Sequence, residues 1–484
     1  MDERSIASAV DRWARKHRSE LVDDLKGLIA IPSIAAYENG LYPRGAECAR
    51  AADYLMDLGR KYEVDAKNDD YYAVRLKLPG LNRRTELGIL GHLDVVSAGT
   101  RWRHDPFDAY EERGYLFGRG SLDNKGPVIM ALYVLRCMKE LHFQLQSDVV
   151  LIAGCDEEKE MRDIAHYLSV HPVPEFTLIC DGAWPMGVGE KGILKAELVQ
   201  QLSGGNLLSL YGGGISNQIP DHAQAILMTP DTDVLERVQR DFPEVQIESN
   251  DRETTFSVSG RTAHCSTPEN RINAVLCMLD FLSAARLLQG DAAQTVSVLQ
   301  KCFVDHQGTG LKIYYADSFS GTTTCVPTSV RLHDGKLHTQ INVRYPLSQK
   351  PDLLVKHLVE RCEQLGVEVR IQSHEKPHSI DLNDPVIQML LANCKRHLSR
   401  KCKPYVSGGG TYARRFPNSI PYGPAYLDAG LPKRWGQPHS ANECVSVDQL
   451  LEAIKVYVLA LMKLDTYINQ KNQLNSSVVP QDKT

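Results

Sequence analysis

The sequence predicts an α/β protein with a central mixed, largely parallel sheet, interrupted by an inserted α+β domain of two β-α-β-type halves. Three observations carry this prediction. Between residues 70 and 182 short apolar runs alternate with helix-period segments, the grammar of helices packed on a parallel sheet. From about 190 to 375 strands and helices follow a different rhythm that occurs twice. From 378 the first grammar resumes and closes on a helix over 447–467. The expected organisation is one discontinuous domain at 1–188 and 378–484, with an insert at 189–377.

Taken in order, residues 1–26 read as one charged amphipathic helix, with Ile6, Val10, Trp13, Leu21 and Leu25 recurring among Asp, Arg and Lys. Residues 86–91 form a buried strand. Residues 126–141 form a helix, with Pro127 in its first turn and Val128, Leu132, Leu135 and Met138 on one face. Residues 148–155 and 175–180 are further short apolar strands that end in acids. In the insert, 255–264, 337–345 and 367–372 alternate as strands, while 270–288 and 351–365 are helical. Residues 469–484 are polar and aperiodic and read as a disordered tail.

With 484 residues, 43% of them hydrophobic and 24% charged, the chain can bury a large core in two or three domains. A formal net charge of −5 with dispersed Lys and Arg argues against nucleic-acid and anionic-membrane partners. No uninterrupted apolar stretch opens the chain, and strings such as 149–155 are far too short to span a bilayer. The twelve cysteines are scattered from Cys48 to Cys444 without a Cys-x-x-Cys pair, so neither a thiolate zinc knuckle nor a thioredoxin-type site is expected. A reduced, cytoplasmic protein is the expectation.

Five short segments carry candidate chemistry. His92, at a predicted strand end, reads either as a metal ligand whose other ring nitrogen is held by Asp94, or as half of a metal-free His–Asp hydrogen bond. Asp123 lies in a glycine-rich approach to a helix and reads either as a carboxylate bridging two cations or as a helix cap. Known phosphate-cradling patterns are not matched there. Asp156, Glu157 and Glu158 close the strand at 148–155; three adjacent carboxylates repel and ask for a positive charge, or else form a solvated turn. Asp181 ends the next strand, and His439 precedes the C-terminal helix. Strand ends of an open parallel sheet converge on one crevice. Three of the five lie at such ends, and a His, Asp, Glu, Asp, His set suits Zn²⁺ or Mn²⁺.

These segments resemble the M20 family of di-metal peptidases, and within it the PepV-type dipeptidases. The strings GHLDVV, GRGSLDNKGP, CDEE, CDG, EKG, GRTAHCSTP and HSANE occur in the order of that family. The resemblance implies a catalytic metal-binding domain at 1–188 and 378–484 and a lid at 189–377. It implies two divalent metal ions, Zn or Mn, one held by His92, Asp123 and Asp181, the other by Glu158, Asp123 and His439. Asp94 would orient His92, and Glu157 would be the general base. His264 would stabilise the tetrahedral oxyanion. Asn217 and Arg344 would bind substrate, Arg344 at its carboxylate. The loop 407–414, with Gly409, Gly410 and Thr411, would also contact substrate. The implied reaction is hydrolysis of a dipeptide or similarly short amide by a water shared between the cations. A doubled lid within one chain implies a monomer. The sequence departs from the family pattern at Lys159-Glu160-Met161, after the glutamate pair, and at Cys265, where smaller residues are more usual. Two other readings share the scaffold: an N-acyl amino acid amidohydrolase with the same metal site, and a non-catalytic peptide-binding relative.

Overall fold

The computed structural model describes residues 2–37, 40–83, 85–269, 272–427 and 435–478. The chain forms two compact units. Met1–Val188, Ile380–Tyr405 and Gly410–Thr484 make the first, and Gly189–Ser379 with Val406–Gly409 the second.

Apolar continuity shapes the first unit. Glu86–His92, Asp148–Gly154 and Phe176–Ile179 are short runs with almost every residue buried, as strands covered on both faces require. The six-stranded sheet has the spatial order Asp65–Asp69, Ala73–Leu78, Asp148–Gly154, Glu86–His92, Phe176–Ile179, Ser419–Pro421. Its first two pairings are antiparallel and its last three parallel, so the sheet is mixed and largely parallel as predicted. Register sets His92 level with Gly154, which brings neighbouring carboxyl ends to one edge.

Helix Lys125–Glu140 is the pivot of this core. Periodicity predicts one apolar face, but the structure buries every residue from Lys125 to Met138. The helix packs on Ala73–Leu78, Glu86–His92 and Asp148–Gly154, and helices Glu3–Lys16, Arg18–Ile29 and Val447–Val478 also contact it. No face is left for water.

The single helix expected over 1–26 is in fact two, broken at His17, whose backbone (φ −98°, ψ 13°) leaves the helical region. Bending there lets each half bury its own stripe: Ile6, Val10 and Trp13 in one, Leu21, Leu25 and Leu28 in the other. His17 itself is buried, its ring centroid 4.4 Å from that of Trp13. A second correction concerns the C-terminus. Residues 469–478, expected to be disordered, continue the helix Val447–Val478. Asn469 Nδ2 holds the turn where apolar periodicity fades, donating to the Asp465 carbonyl at 2.7 Å and its carboxylate at 2.9 Å. The rest of the expected tail, 479–484, lies outside the described residues.

Alternation builds the second unit. His222–Met228 and Glu253–Ser259 place every second residue inward, the pattern of antiparallel strands with one packed face. Eight strands form one sheet in the order Gln246–Ser249, Glu253–Ser259, His222–Met228, Leu207–Gly213, Thr324–His333, Lys336–Tyr345, Gly192–Gln201, Glu368–Glu375. The two expected halves join at Leu207–Gly213 and Thr324–His333. Helices Ala274–Ala284 and Pro351–Gln364 place Met278, Leu282, Leu354 and Leu358 in its core. The helix expected over 270–288 is shorter because Asn273 caps it, its Oδ1 accepting from Val275 N at 3.0 Å; Asn270 lies outside the described residues. Val406–Gly409 belongs here, although 378–484 was assigned to the other domain. Backbone contact explains it: Lys191 N donates to the Ser407 carbonyl at 2.9 Å.

All twelve cysteines are described and carry free thiols. Among the described residues no helix is long and apolar enough to cross a membrane. The helix at the centre of the first unit offers a test of packing. Leu132→Ala should lower unfolding free energy by about 2–5 kcal/mol, because a fully buried site leaves a cavity that cannot collapse. Denaturant unfolding followed by tryptophan fluorescence would measure it.

Candidate metal centre

Strand Glu86–His92 delivers His92 to the carboxyl edge of the first unit's sheet. His92 Nδ1 lies 2.9 Å from the Asp94 carbonyl oxygen, which can only accept. Nδ1 therefore carries a proton, and Nε2 is the nitrogen left to bind a cation once it gives up its own. That nitrogen faces Asp123 Oδ1 at 3.1 Å and Asp181 Oδ2 at 3.8 Å.

Asp123 sits where the turn before helix Lys125–Glu140 is tightest. Gly120 takes φ 86°, and a Cβ on Gly126 would stand 2.0 Å from the Ser121 carbonyl oxygen. The buried Glu443 carboxylate holds this turn from the other end of the chain. Its Oε1 accepts from Leu122 N at 2.9 Å and Asp123 N at 3.0 Å, while Arg119 Nη1 donates to Oε2 at 2.6 Å. Asn124 ties the turn to the strand ends: Oδ1 accepts from His92 N at 3.1 Å, and Nδ2 donates to the Cys180 carbonyl at 2.8 Å.

The Asp123 carboxylate is thereby aimed in two directions. Oδ1 meets His92, and Oδ2 lies 3.1 Å from His439 Nε2, which is also 2.9 Å from Glu158 Oε1. One donor atom each from His92, Asp123 and Asp181 lies within 4.8 Å of the others, and so do those of Asp123, Glu158 and His439. The five residues expected to bind metal are brought together, with Asp123 common to both groups. Two imidazoles and three carboxylates are a donor set that divalent cations such as Zn²⁺ and Mn²⁺ accept.

The acidic turn divides its labour. The Asp94 carboxylate accepts from Glu157 N at 3.2 Å and Glu158 N at 3.1 Å, so it orients this turn. Its oxygen is 3.4 Å from His92 Nδ1, farther than its own carbonyl, and the main chain is the nearer support of the imidazole. Asp156 turns away to the buried Arg44, 3.2 Å from its guanidinium. Met161 closes the turn at φ 55° with its N–H on the Asp156 carbonyl at 2.9 Å, which accommodates the unusual Lys159-Glu160-Met161. Glu157 belongs to neither donor group.

Crowding of like charge shows in the protonation equilibria. Burial and then the Asp123 charge push Asp181 up to about 7. Burial followed by Asp181 pushes Glu157 well above the usual carboxylate range, and burial followed by Asp123 raises Glu158. Burial would lower His439, but hydrogen bonds to Asp123 and Glu158 outweigh it and raise the ring to about 11. His92 is raised in the same way, against burial, by Asp123 and Asp94. Asp123 is held far below its ordinary value, burial notwithstanding, by the two imidazoles.

The remaining expected residues fall mostly in the second unit. His264 Nδ1 accepts from Ser266 N at 3.2 Å and lies 2.6 Å from Ser266 Oγ. Asn217 accepts at its carbonyl from Cys265 N at 2.9 Å. Arg344 is buried; its Nε donates to Asn342 Oδ1 at 2.8 Å, Nη1 to the Gly408 carbonyl at 3.0 Å, and Nη2 lies 3.7 Å from Cys265 Sγ. Gly409 N donates to Ser407 Oγ at 3.0 Å. Gly410 and Thr411 belong to the first unit, where Thr411 Oγ1 accepts from Ala413 N at 3.2 Å. Sequence reasoning assigned no role to Arg119, Asn124 or Glu443. Their one signal was membership of the strings around Asp123 and His439, since a buried pair 324 positions apart leaves no local pattern.

The model of peptidase family M20/M25/M40 matches residues 88–463, which include all five of these ligand candidates. The chain belongs to this family. Among its family relatives, the Beta-Ala-Xaa dipeptidase of Lactobacillus delbrueckii subsp. lactis is 28% identical over 464 residues, covering 93% of this chain and 97% of that protein. Two solved structures share the fold. Human carnosine dipeptidase 1 has a TM-score of 0.58 at 14% identity, over 95% of this chain and 99% of that one. An M20 family metallo-carboxypeptidase from Sulfolobus solfataricus has a TM-score of 0.54 at 16% identity, over 92% and 99%.

The raised carboxyls and imidazoles fix the sign of a pH effect. Groups that hold protons above their ordinary values must release them to a cation, so metal affinity should rise with pH between about 6 and 8. Calorimetry with Zn²⁺ or Mn²⁺ in two buffers of different ionisation enthalpy should show net proton release at pH 7.

Proposed function

We propose that this member of the family hydrolyses dipeptides or similarly short peptides at a centre holding two divalent cations, Zn²⁺ or Mn²⁺, and that it works as a cytoplasmic monomer. The observation that carries the reading is the shared Asp123: one carboxylate belongs to two donor groups, each completed by one imidazole and one further acid. The dipeptidase name of the Lactobacillus relative supports the choice of substrate.

Bound there, a pair of cations supplies a polarised scissile carbonyl and an acidified water. The chain's own residues do the rest. Glu157, outside both donor groups, takes the proton of the attacking water and later passes it to the leaving amine. Asp94 fixes Glu157 by its backbone N–H, which keeps the base from following the substrate. His264 is set up to donate. A backbone N–H can only give a proton, so Nδ1 accepts from Ser266 and the ring proton resides on Nε2. From Nε2 it stabilises the developing oxyanion. Arg344 takes the substrate carboxylate, Asn217 a neighbouring polar group, and Gly409, Gly410 and Thr411 line the path of the peptide.

The deciding experiment combines elemental analysis of the purified protein with a panel of free dipeptides and N-acylated amino acids. Dipeptide turnover with about two equivalents of metal is expected. Faster turnover of N-acylated amino acids would move the assignment to an amidohydrolase, and binding without cleavage to a non-catalytic relative. Glu157→Gln should keep its metal content and lose about 10²–10⁴-fold in kcat. His264→Ala should lose about 10²–10³-fold in kcat with metal affinity unchanged, as calorimetry would show.

A further inference from the structure

A second cation stands beside Arg344 on the same face of the second unit's sheet. In the antiparallel pairing of Gly192–Gln201 with Lys336–Tyr345, Ile193 faces Arg344 and Lys195 faces Asn342. Residues two apart share a face, so Lys195 and Arg344 are diagonal neighbours, about 7–8 Å apart at the backbone and within reach of long side chains. A continuous set of contacts joins them. Lys195 Nζ donates to Ser216 Oγ at 3.3 Å, Asn342 Nδ2 donates to the Ser216 carbonyl at 2.8 Å, and Asn342 Oδ1 accepts from Arg344 Nε at 2.8 Å. Cys265 lies within the field of both: burial raises its thiol, while Arg344 and Lys195 each pull it back down.

Among the described residues no carboxylate lies within ion-pair distance of Arg344 or Lys195. Glu197, the next residue on this face of the strand, is engaged elsewhere: Gln340 Nε2 donates to Oε1 at 3.0 Å, His338 Nδ1 lies 3.1 Å from it, and Arg370 Nη1 lies 3.4 Å from Oε2. Arg344 is only 4% exposed, and a buried cation left unpaired is costly. One terminal carboxylate compensates one of the two charges. The second remains.

We propose that Lys195 and Arg344 form a two-anion subsite, and that the preferred substrates are dipeptides with an acidic C-terminal residue, Xaa-Asp or Xaa-Glu. Arg344 grips the main-chain carboxylate through its planar fork, and Lys195, a compact point charge on a flexible stem, meets the side-chain carboxylate. The inference rests on the dipeptidase reading above and on Arg344 as the carboxylate anchor.

The test compares kcat/KM for Ala-Glu and Ala-Gln, which match in shape and differ in charge, in the metal-loaded wild type, Lys195→Gln and Lys195→Arg. The wild type should favour Ala-Glu by about 10–100-fold, the worth of one charge-assisted contact. Lys195→Gln should bring the ratio close to one, chiefly through KM for Ala-Glu, and Lys195→Arg should restore most of it. An equal ratio in wild type and Lys195→Gln, or equal turnover of the two peptides by the wild type, overturns the inference while leaving the dipeptidase reading intact. No turnover of either peptide by the wild type sinks both.

Discussion

Asp123 shows one carboxylate oxygen to His92 and the other to His439, and the surrounding architecture serves to keep it so. The two imidazoles come from distant parts of the chain, one from a central strand and one from the approach to the last helix. A carboxylate can face both only if its backbone cannot rotate. Glu443 prevents rotation by accepting the N–H groups of Leu122 and Asp123, and Arg119 neutralises Glu443 in a fully buried pair. Because Glu443 lies four residues after His439, the same side chain fixes the relation between the shared acid and the second imidazole. Asn124 does the corresponding service for the first, linking His92 to the strand that ends in Asp181.

The two units carry opposite electrostatic imbalances. In the first, Glu157, Glu158 and Asp181 are all displaced upward in pKa because too many acids are buried together, a deficit that positive ions correct. In the second, Arg344 is buried on neutral acceptors and Lys195 stands beside it, an excess that negative groups correct. In the reading proposed above, the first kind of site serves the reacting carbonyl and the second the charged end of the peptide. The folds suit the tasks. Parallel strands end together and gather donors at one edge, whereas an antiparallel sheet presents a row of side chains on one face.

Much of this was legible in the amino-acid order, and the reasons for the remainder are physical. Strands such as Glu86–His92 announce themselves because unbroken apolar runs have few alternatives, and the acids that close them mark the site edge. The donors His92, Asp123, Glu158, Asp181 and His439 were visible as residue types at strand and helix ends, although only the folded chain could show that they converge. The break at His17 was invisible because no glycine or proline marks it; burial on two sides decides it. The all-round burial of Lys125–Glu140 was likewise hidden, since its coverage depends on helices from both ends of the chain. The clamp by Glu443 and the division of Asp94 between its carbonyl and its carboxylate are matters of atoms rather than residue types, and no periodicity encodes them.

The short segment Val406–Gly409 gives the second unit a debt to the far end of the sequence. Gly408 supplies one of the oxygens that hold Arg344, and Ser407 closes a backbone contact with Lys191. A stretch cut out at residues 189–379 and transplanted into a relative would therefore arrive without part of the cradle for its own buried guanidinium. Swapping of modules between homologues is constrained accordingly: the insert and the glycine-rich loop must travel as a pair, or the recipient's loop must already present a carbonyl at the same place.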